Sequence, residues 1–189
     1  MEPTKILKTL LILLVIGCSS DNTEPIPVNV ETFSEELFFS EYIEGSSFNK
    51  ALEIVNLTGA SINLEIEGYS IKKQTNGTGN WISDLPLSGS IPHNDVYVIA
   101  NENSDISEII QQSDLLKTGA PMDFNGNDPI GLFKNGILID IIGTINNSED
   151  FAKDKTLLRK KSIHEPSPLF DINNWEVLEM DTVDDLGKY

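Results

Sequence analysis

LFFSEYIEGSSFNKALEIVN, Leu37–Asn56, is the stretch that decides the fold. Two β-like runs, Leu37–Ile43 and Ala51–Val55, flank a polar loop holding Gly45, Ser46, Ser47 and Asn49. A glycine-containing loop between two apolar runs predicts a hairpin. In the second run Leu52 and Ile54 alternate with Ala51, Glu53 and Val55, which predicts one buried face.

Downstream the theme repeats. Ile62, Leu64 and Ile66 alternate with polar residues up to Gly68, and Tyr69–Lys73 makes a second run closed by Asn76-Gly77. Trp81, Ile82, Leu85 and Leu87 follow, and Pro86 confines that segment to a sheet edge or a turn, because proline has no N–H for a ladder. Ser88–Asp95 reads as loop, and Val96–Ala100, VYVIA, as a central strand. Asp105–Gln112 is the one helical candidate, with Ser104 or Asp105 as its cap and Ile106, Ile109 and Ile110 on one face. Met122–Asp128 is rich in turn residues. Ile130–Lys134 and Ile137–Ile142 then flank Asn135-Gly136, a strong hairpin signal. Thr156–Arg159 and Glu176–Glu179 close the series. Short strands separated by turns, with one short helix, predict an all-β fold, an antiparallel sandwich or barrel.

The chain of 189 residues carries 13 basic and 30 acidic side chains, a formal charge of −17. Such a field opposes nucleic-acid phosphates, which are bound by Lys and Arg displacing counterions. It favours cations or basic partners. A single cysteine, Cys18, rules out an intrachain disulfide.

That cysteine ends a leader. Lys5 and Lys8 precede the apolar run Leu10–Ile16, and Gly17 precedes Cys18. A basic start, a short apolar core and a small residue make a secretory signal. At ~1.5 Å per residue, the seven residues of this run reach only ~10 Å of a ~30 Å hydrocarbon core. Val15-Ile16-Gly17-Cys18 resembles a bacterial lipobox, which implies a lipid thioether on Cys18 and cleavage before it. The expected organisation is a lipoprotein signal over 1–17, a flexible tether over 18–36 carrying Pro25 and Pro27, and one domain over 37–189. The expected location is the cell envelope, at the outer membrane or cell surface, held to the membrane by the N-terminal lipid.

Several stretches, taken together and in this order, resemble the bacterial branch of the lamin tail domain family. They are Leu37–Asn56, Leu64–Ile71 (LEIEGYSI), Val96–Asn101 (VYVIAN), Phe124–Gly143 (FNGNDPIGLFKNGILIDIIG), Asp154–Lys160 (DKTLLRK) and Trp175–Gly187 (WEVLEMDTVDDLG). The resemblance implies an immunoglobulin-like β-sandwich. Bacterial members are often joined to secreted nucleases or other enzymes, but here the matched stretches leave no length for one. Eukaryotic members contact DNA or proteins, and the acidity of this chain departs from a DNA-binding surface.

Two acidic groups are candidate sites. Asp123, Asn125, Asn127 and Asp128 have the oxygen-rich look of a calcium loop. The helix–loop–helix pattern wants glycine at its sixth position and glutamate at its twelfth, and these positions hold Asp128 and Lys134. That leaves a looser calcium site, or a turn in which Asn and Asp bond their own backbone. Glu41, Glu44 and Glu53 lie in or beside the first hairpin, as a cation or ligand site or as a solvated face near Lys50. Phe39 and Ile43, two residues to either side of Glu41, are apolar, and an inward carboxylate needs a partner. His93 and His164 read as surface residues, Trp81 and Trp175 as packing, and Arg159-Lys160-Lys161 as balance for acidic neighbours. The expectation is a non-catalytic module whose partner is a protein or glycan, with calcium the one cofactor the sequence admits.

Overall fold

The computed structural model describes residues 33–189; Cys18, the leader and residues 19–32 of the tether lie outside the described residues. The opening hairpin forms as expected, from β1 (Phe38–Glu44) and β2 (Lys50–Asn56). In chain order there follow β3 (Ile62–Asn63), β4 (Tyr69–Lys73), β5 (Ile82–Pro86), β6 (Ser90–Ile91), β7 (Asp95–Asn101), α1 (Ser107–Gln112) and β8 (Leu115–Lys117). The last four strands are β9 (Ile130–Lys134), β10 (Ile137–Ile142), β11 (Lys155–Arg159) and β12 (Trp175–Glu179).

These strands make a six-stranded sheet, β12-β11-β1-β2-β7-β8, and a four-stranded sheet, β10-β9-β4-β5, with β3 and β6 as a small separate pair. The two large sheets face each other across one core. Leu37, Phe39, Tyr42, Leu52, Ile54, Ile99, Leu157 and Trp175 line it from one side, and Tyr69, Ile71, Ile130, Leu132 and Ile142 from the other. The fold is an all-β sandwich with one short helix, and its character is consistent with an immunoglobulin-like architecture.

Several local readings are corrected. The alternation in β2 predicts one buried face, yet both faces of β1 and β2 are buried. Leu52 and Ile54 enter the main core, while Ala51 joins Ile43, Val98, Ala100, Ile109 and Leu186 in a second cluster on the outer side. The strand expected over Ile62–Ile66 stops at Asn63. Asn63 Oδ1 accepts the Ile66 N–H at 2.9 Å and the Glu67 N–H reaches the Asn63 carbonyl at 3.0 Å, so the chain turns and Ile66 is 81% exposed. The helix starts two residues later than expected, with Ile106 at its N-cap position, because Ser104 Oγ and the Asp105 N–H are both spent on Asn49 Oδ1.

One pairing departs from the antiparallel scheme. β8 runs parallel to β7, since α1 carries the chain back to the start of a second pass along that edge. Asp114 fixes the entry, its Oδ2 accepting the Val98 N–H at 2.8 Å. Pro86 does lie in an edge strand, and Asn135 and Gly136 take positive φ of 49° and 80° in the turn between β9 and β10.

The molecule has two distinct ends. The chain enters at one, where the Ser34 N–H reaches the Leu57 carbonyl at 3.0 Å and Lys134 Nζ reaches the Glu36 carboxylate at 2.8 Å. Strand β1 runs from there to Glu44. At the far end gather loops 45–49, 74–81, 102–106, 118–129 and 143–154. Side chains cross-link them: Ser104 donates to Asn49 at 2.7 Å, and Gln74 and Asn146 exchange two hydrogen bonds at 2.8 and 3.0 Å.

Candidate functional site

The acidic loop at the far end is built around a lysine. Lys73, at the end of β4 and buried, places Nζ 2.6 Å from Asp123 Oδ1 and 3.3 Å from Asp128 Oδ2. Asp128 is buried too. It accepts the Asn76 N–H at 2.5 Å and the Asn125 N–H at 3.0 Å, which makes it the post on which loops 74–81 and 118–129 hang. Of the four residues, the side chains of Asp123 and Asp128 are brought together, with an internal ammonium between the two carboxylates. Asn125 is exposed and contributes its backbone. Beside it a cavity of about 130 Å³ is lined by Asn125, Gly126, Asn127, Asp150 and Lys153, and Asn127 Oδ1 is buried there without a partner among the described residues.

The three glutamates of the hairpin part company. Glu44 is buried and neutralised, with Oε1 2.7 Å from Lys50 Nζ and Oε2 accepting the Asp154 N–H. Glu41 and Glu53 are cross-strand partners in the β1–β2 ladder, and so share the outer face of the six-stranded sheet. They are 2% and 0% exposed, which overturns a solvated-face reading. Glu53 Oε1 accepts from Ser40 Oγ and its Oε2 from the Gly187 N–H, both at 2.7 Å. Glu41 Oε2 has no partner among the described residues. Burial, then the neighbouring charges of Glu53 and Asp185, push the Glu41 carboxyl up to about 8. Burial pushes Glu53 up to about 7 against the pull of Ser40 and Gly187. A carboxyl that accepts nothing in a dry site prefers its neutral form.

A further buried group is not picked out by the sequence reading. Asp140, in the middle of ILIDII on β10, is fully buried and crosses from one sheet to the other. Its Oδ2 accepts the Phe39 N–H at 2.8 Å and its Oδ1 the Ser167 N–H at 2.8 Å, and Arg159 Nη2 lies 3.3 Å away. The Arg159 guanidinium sits over the rings of Phe38 and Trp175, 5.2 and 5.0 Å from their centres. Burial lifts the Asp140 carboxyl to about 6, while Arg159 and the two amides favour its charged form. An aspartate inside an apolar run is the signal that could have found it. The sequence marks Arg159 as balance for acidic neighbours, and the geometry gives it that role.

The remaining candidates are dispersed. His93 Nδ1 accepts the Gly59 N–H at 3.1 Å and its ring stands edge-on to Phe33, while His164 is exposed. Trp175 is buried in the core, and Trp81 is half-buried against Phe133. Among the described residues no group of three or more His, Cys, Asp or Glu side chains is arranged to hold a metal ion. No family model matches the chain, and no curated protein matches it.

Proposed function

We propose that this chain is a lipid-anchored, non-catalytic binding module of a bacterial cell envelope, a lamin-tail-like sandwich that meets a protein or glycan through the loops at its far end. The observation that carries this reading is directional. The polypeptide enters the sandwich at Ser34, and loops 45–49, 74–81, 102–106, 118–129 and 143–154 collect at the opposite end. The point at which a tether joins the domain is thus separate from those loops. Loops presented by a rigid sheet scaffold are common sites of recognition. Lys73, Asp128 and Asn49 stiffen them, and Phe48, 53% exposed at the tip of the first hairpin, offers an apolar contact.

The acidic clusters support a scaffold role. Glu44 is paired with Lys50 and Asp140 with Arg159, while Asp123 and Asp128 share Lys73, so most of this charge is spent on holding loops and sheets together. A second reading, an accessory subunit docking on an enzyme or envelope complex, is favoured by one feature. Edge strand β12 and its flanks expose Val177 (52%), Met180 (42%) and Ile172 (38%).

Affinity capture from envelope extract with the acylated chain, with and without calcium, tests both. The first reading expects a retained protein or glycan that is lost with Phe48→Ala and kept with Val177→Lys. The second expects the reverse. No retention by the unaltered chain in either buffer counts against both.

A further inference from the structure

Two segments roof the outer face of the six-stranded sheet: α1 and the last residues, 183–189. The second runs across the sheet from end to end. Asp181 fastens its start at the far end, accepting the Ser46 N–H at 2.8 Å and Ser46 Oγ at 2.7 Å. Val183 and Leu186 then pack with Ile109 of α1 on Ile43, Ala51, Val98 and Ala100. Tyr189 finishes edge-on to Phe38, with Lys161 Nζ 3.6 Å from its ring centre. Among the described residues no strand pairs with this segment; its own backbone bonds are the short turns Leu186 to Val183 and Lys188 to Asp185.

Between those fastenings, its polar ties to the sheet are backbone amides donating to Glu53, Gly187 at 2.7 Å and Lys188 beside it. Beneath it a row of residues crosses the sheet: Val98, Glu53, Glu41, Leu158 and Glu176. Two carboxyls thus stand side by side, with Cβ atoms about 5 Å apart as cross-strand partners have. The donors of Ser40, Gly187 and the Lys188 amide let Glu53 carry one charge. Glu41 Oε2 has no donor among the described residues, so a second charge there would lie dry beside the first.

The other groups around the pair do not remove that conflict. Asp185, on the segment itself, adds a third negative charge. Lys188, also on the segment, and Lys161, on the β11–β12 connection, act in the opposite direction, but both are exposed and Lys188 is shared with Asp185 at 3.9 Å. The Tyr189 phenol is itself pushed up by burial and stays neutral, and α1 contributes the uncharged Gln112 against Gly187. Glu176 is exposed. Two coupled carboxyls release their protons in two steps that belong to the pair.

We propose that residues 183–189 form a proton-operated strap: with Glu41 protonated the strap lies closed on the sheet, and when Glu41 and Glu53 are both ionised it lifts and uncovers the apolar patch of Ile43, Ala51, Val98 and Ala100. Lifting lets water reach both carboxylates without disturbing the sandwich core, which lies on the other side of the sheet. The device is independent of what the far-end loops bind.

Amide hydrogen exchange on the full chain at about pH 5.5 and about pH 8.5, corrected for the intrinsic rate, tests it. The strap amides, Gly187 above all, are expected to lose about tenfold or more of their protection between the two, while β4 and β9 keep theirs. The Glu41→Gln, Glu53→Gln double variant is expected to hold its strap at the higher pH. An unaltered chain with no strap-specific loss, or a double variant that loses as much, overturns the proposal. If the double variant does not fold, carbon-13 titration of the two carboxyls in the unaltered chain decides. Titration of both below about pH 5 overturns the strap, and titration of at least one near the neutral range supports it.

Discussion

Asp140 and Arg159 show how much a single buried charge organises here. Asp140 satisfies an amide of β1 and the β11 guanidinium from the opposite sheet, and an amide of the 160–174 connection. Breaking such a pair by removing one partner strands the other charge, at a cost of about 3–5 kcal/mol. Arg159→Met is accordingly expected to lower the guanidinium unfolding free energy by that amount. Asp140→Asn, which keeps acceptors for only some of the donors, should cost roughly 2 kcal/mol or more. Glu41 is buried without such partners among the described residues. Its folded-state value of about 8 stands above the usual 4.5, so the folded chain holds a proton that the unfolded chain releases. Its contribution to stability is complete below about pH 4.5 and falls away as pH rises towards 8, with Glu53 falling over a parallel range up to about 7. Each tenfold difference in proton affinity between folded and unfolded chain is worth about 1.4 kcal/mol. Glu41→Gln should therefore raise the unfolding free energy at pH 8 by several kcal/mol and change little at pH 4. Equal effects at both pH values would contradict the neutral-carboxyl reading.

At the scale of elements, what the sequence disclosed follows the range of the interaction. The β1–β2 hairpin, the Asn135-Gly136 turn and the edge position of Pro86 are written in neighbouring residues, and they are legible. The end of β3 is not, because an Asn63 side chain outbids the ladder for the Ile66 amide. Strand β8 escapes the sequence reading since Leu115–Lys117 is short and is held by Asp114, which acts on β7 from a distance. Among site residues, Asp123 and Asp128 group as the sequence suggests, but the buried cation between them comes from β4, fifty residues and more away in sequence. Burial of Glu41 and Glu53 depends on residues 183–189, at the other end of the chain. The close approach of elements makes two further predictions. A Cβ on Gly126 would stand 2.1 Å from the Lys153 backbone, so Gly126→Ala should push loops 118–129 and 143–154 apart and raise amide exchange in both. Lys73→Met leaves Asp123 and Asp128 facing each other with Asp128 buried, and a loss of about 3–5 kcal/mol is expected by urea unfolding.

The whole molecule joins an acidic, all-β body to a leader that resembles a lipobox. One face of the six-stranded sheet makes the sandwich core and the other is covered by α1 and residues 183–189, which, among the described residues, leaves the far-end loops and the sheet edges uncovered. The domain is entered at the opposite end from its loops, so the lipid anchor proposed at Cys18 joins a chain that enters away from them. Several acyl chains at ~0.8 kcal/mol per buried methylene hold a protein of this size on a membrane, and a polar tether alone does not. The direct measurement is detergent-phase partitioning of the full chain expressed in a bacterial host, unaltered and as Cys18→Ser. Lipid anchoring predicts that the unaltered chain enters the detergent phase and the variant stays in the aqueous phase; identical partitioning of the two would contradict it.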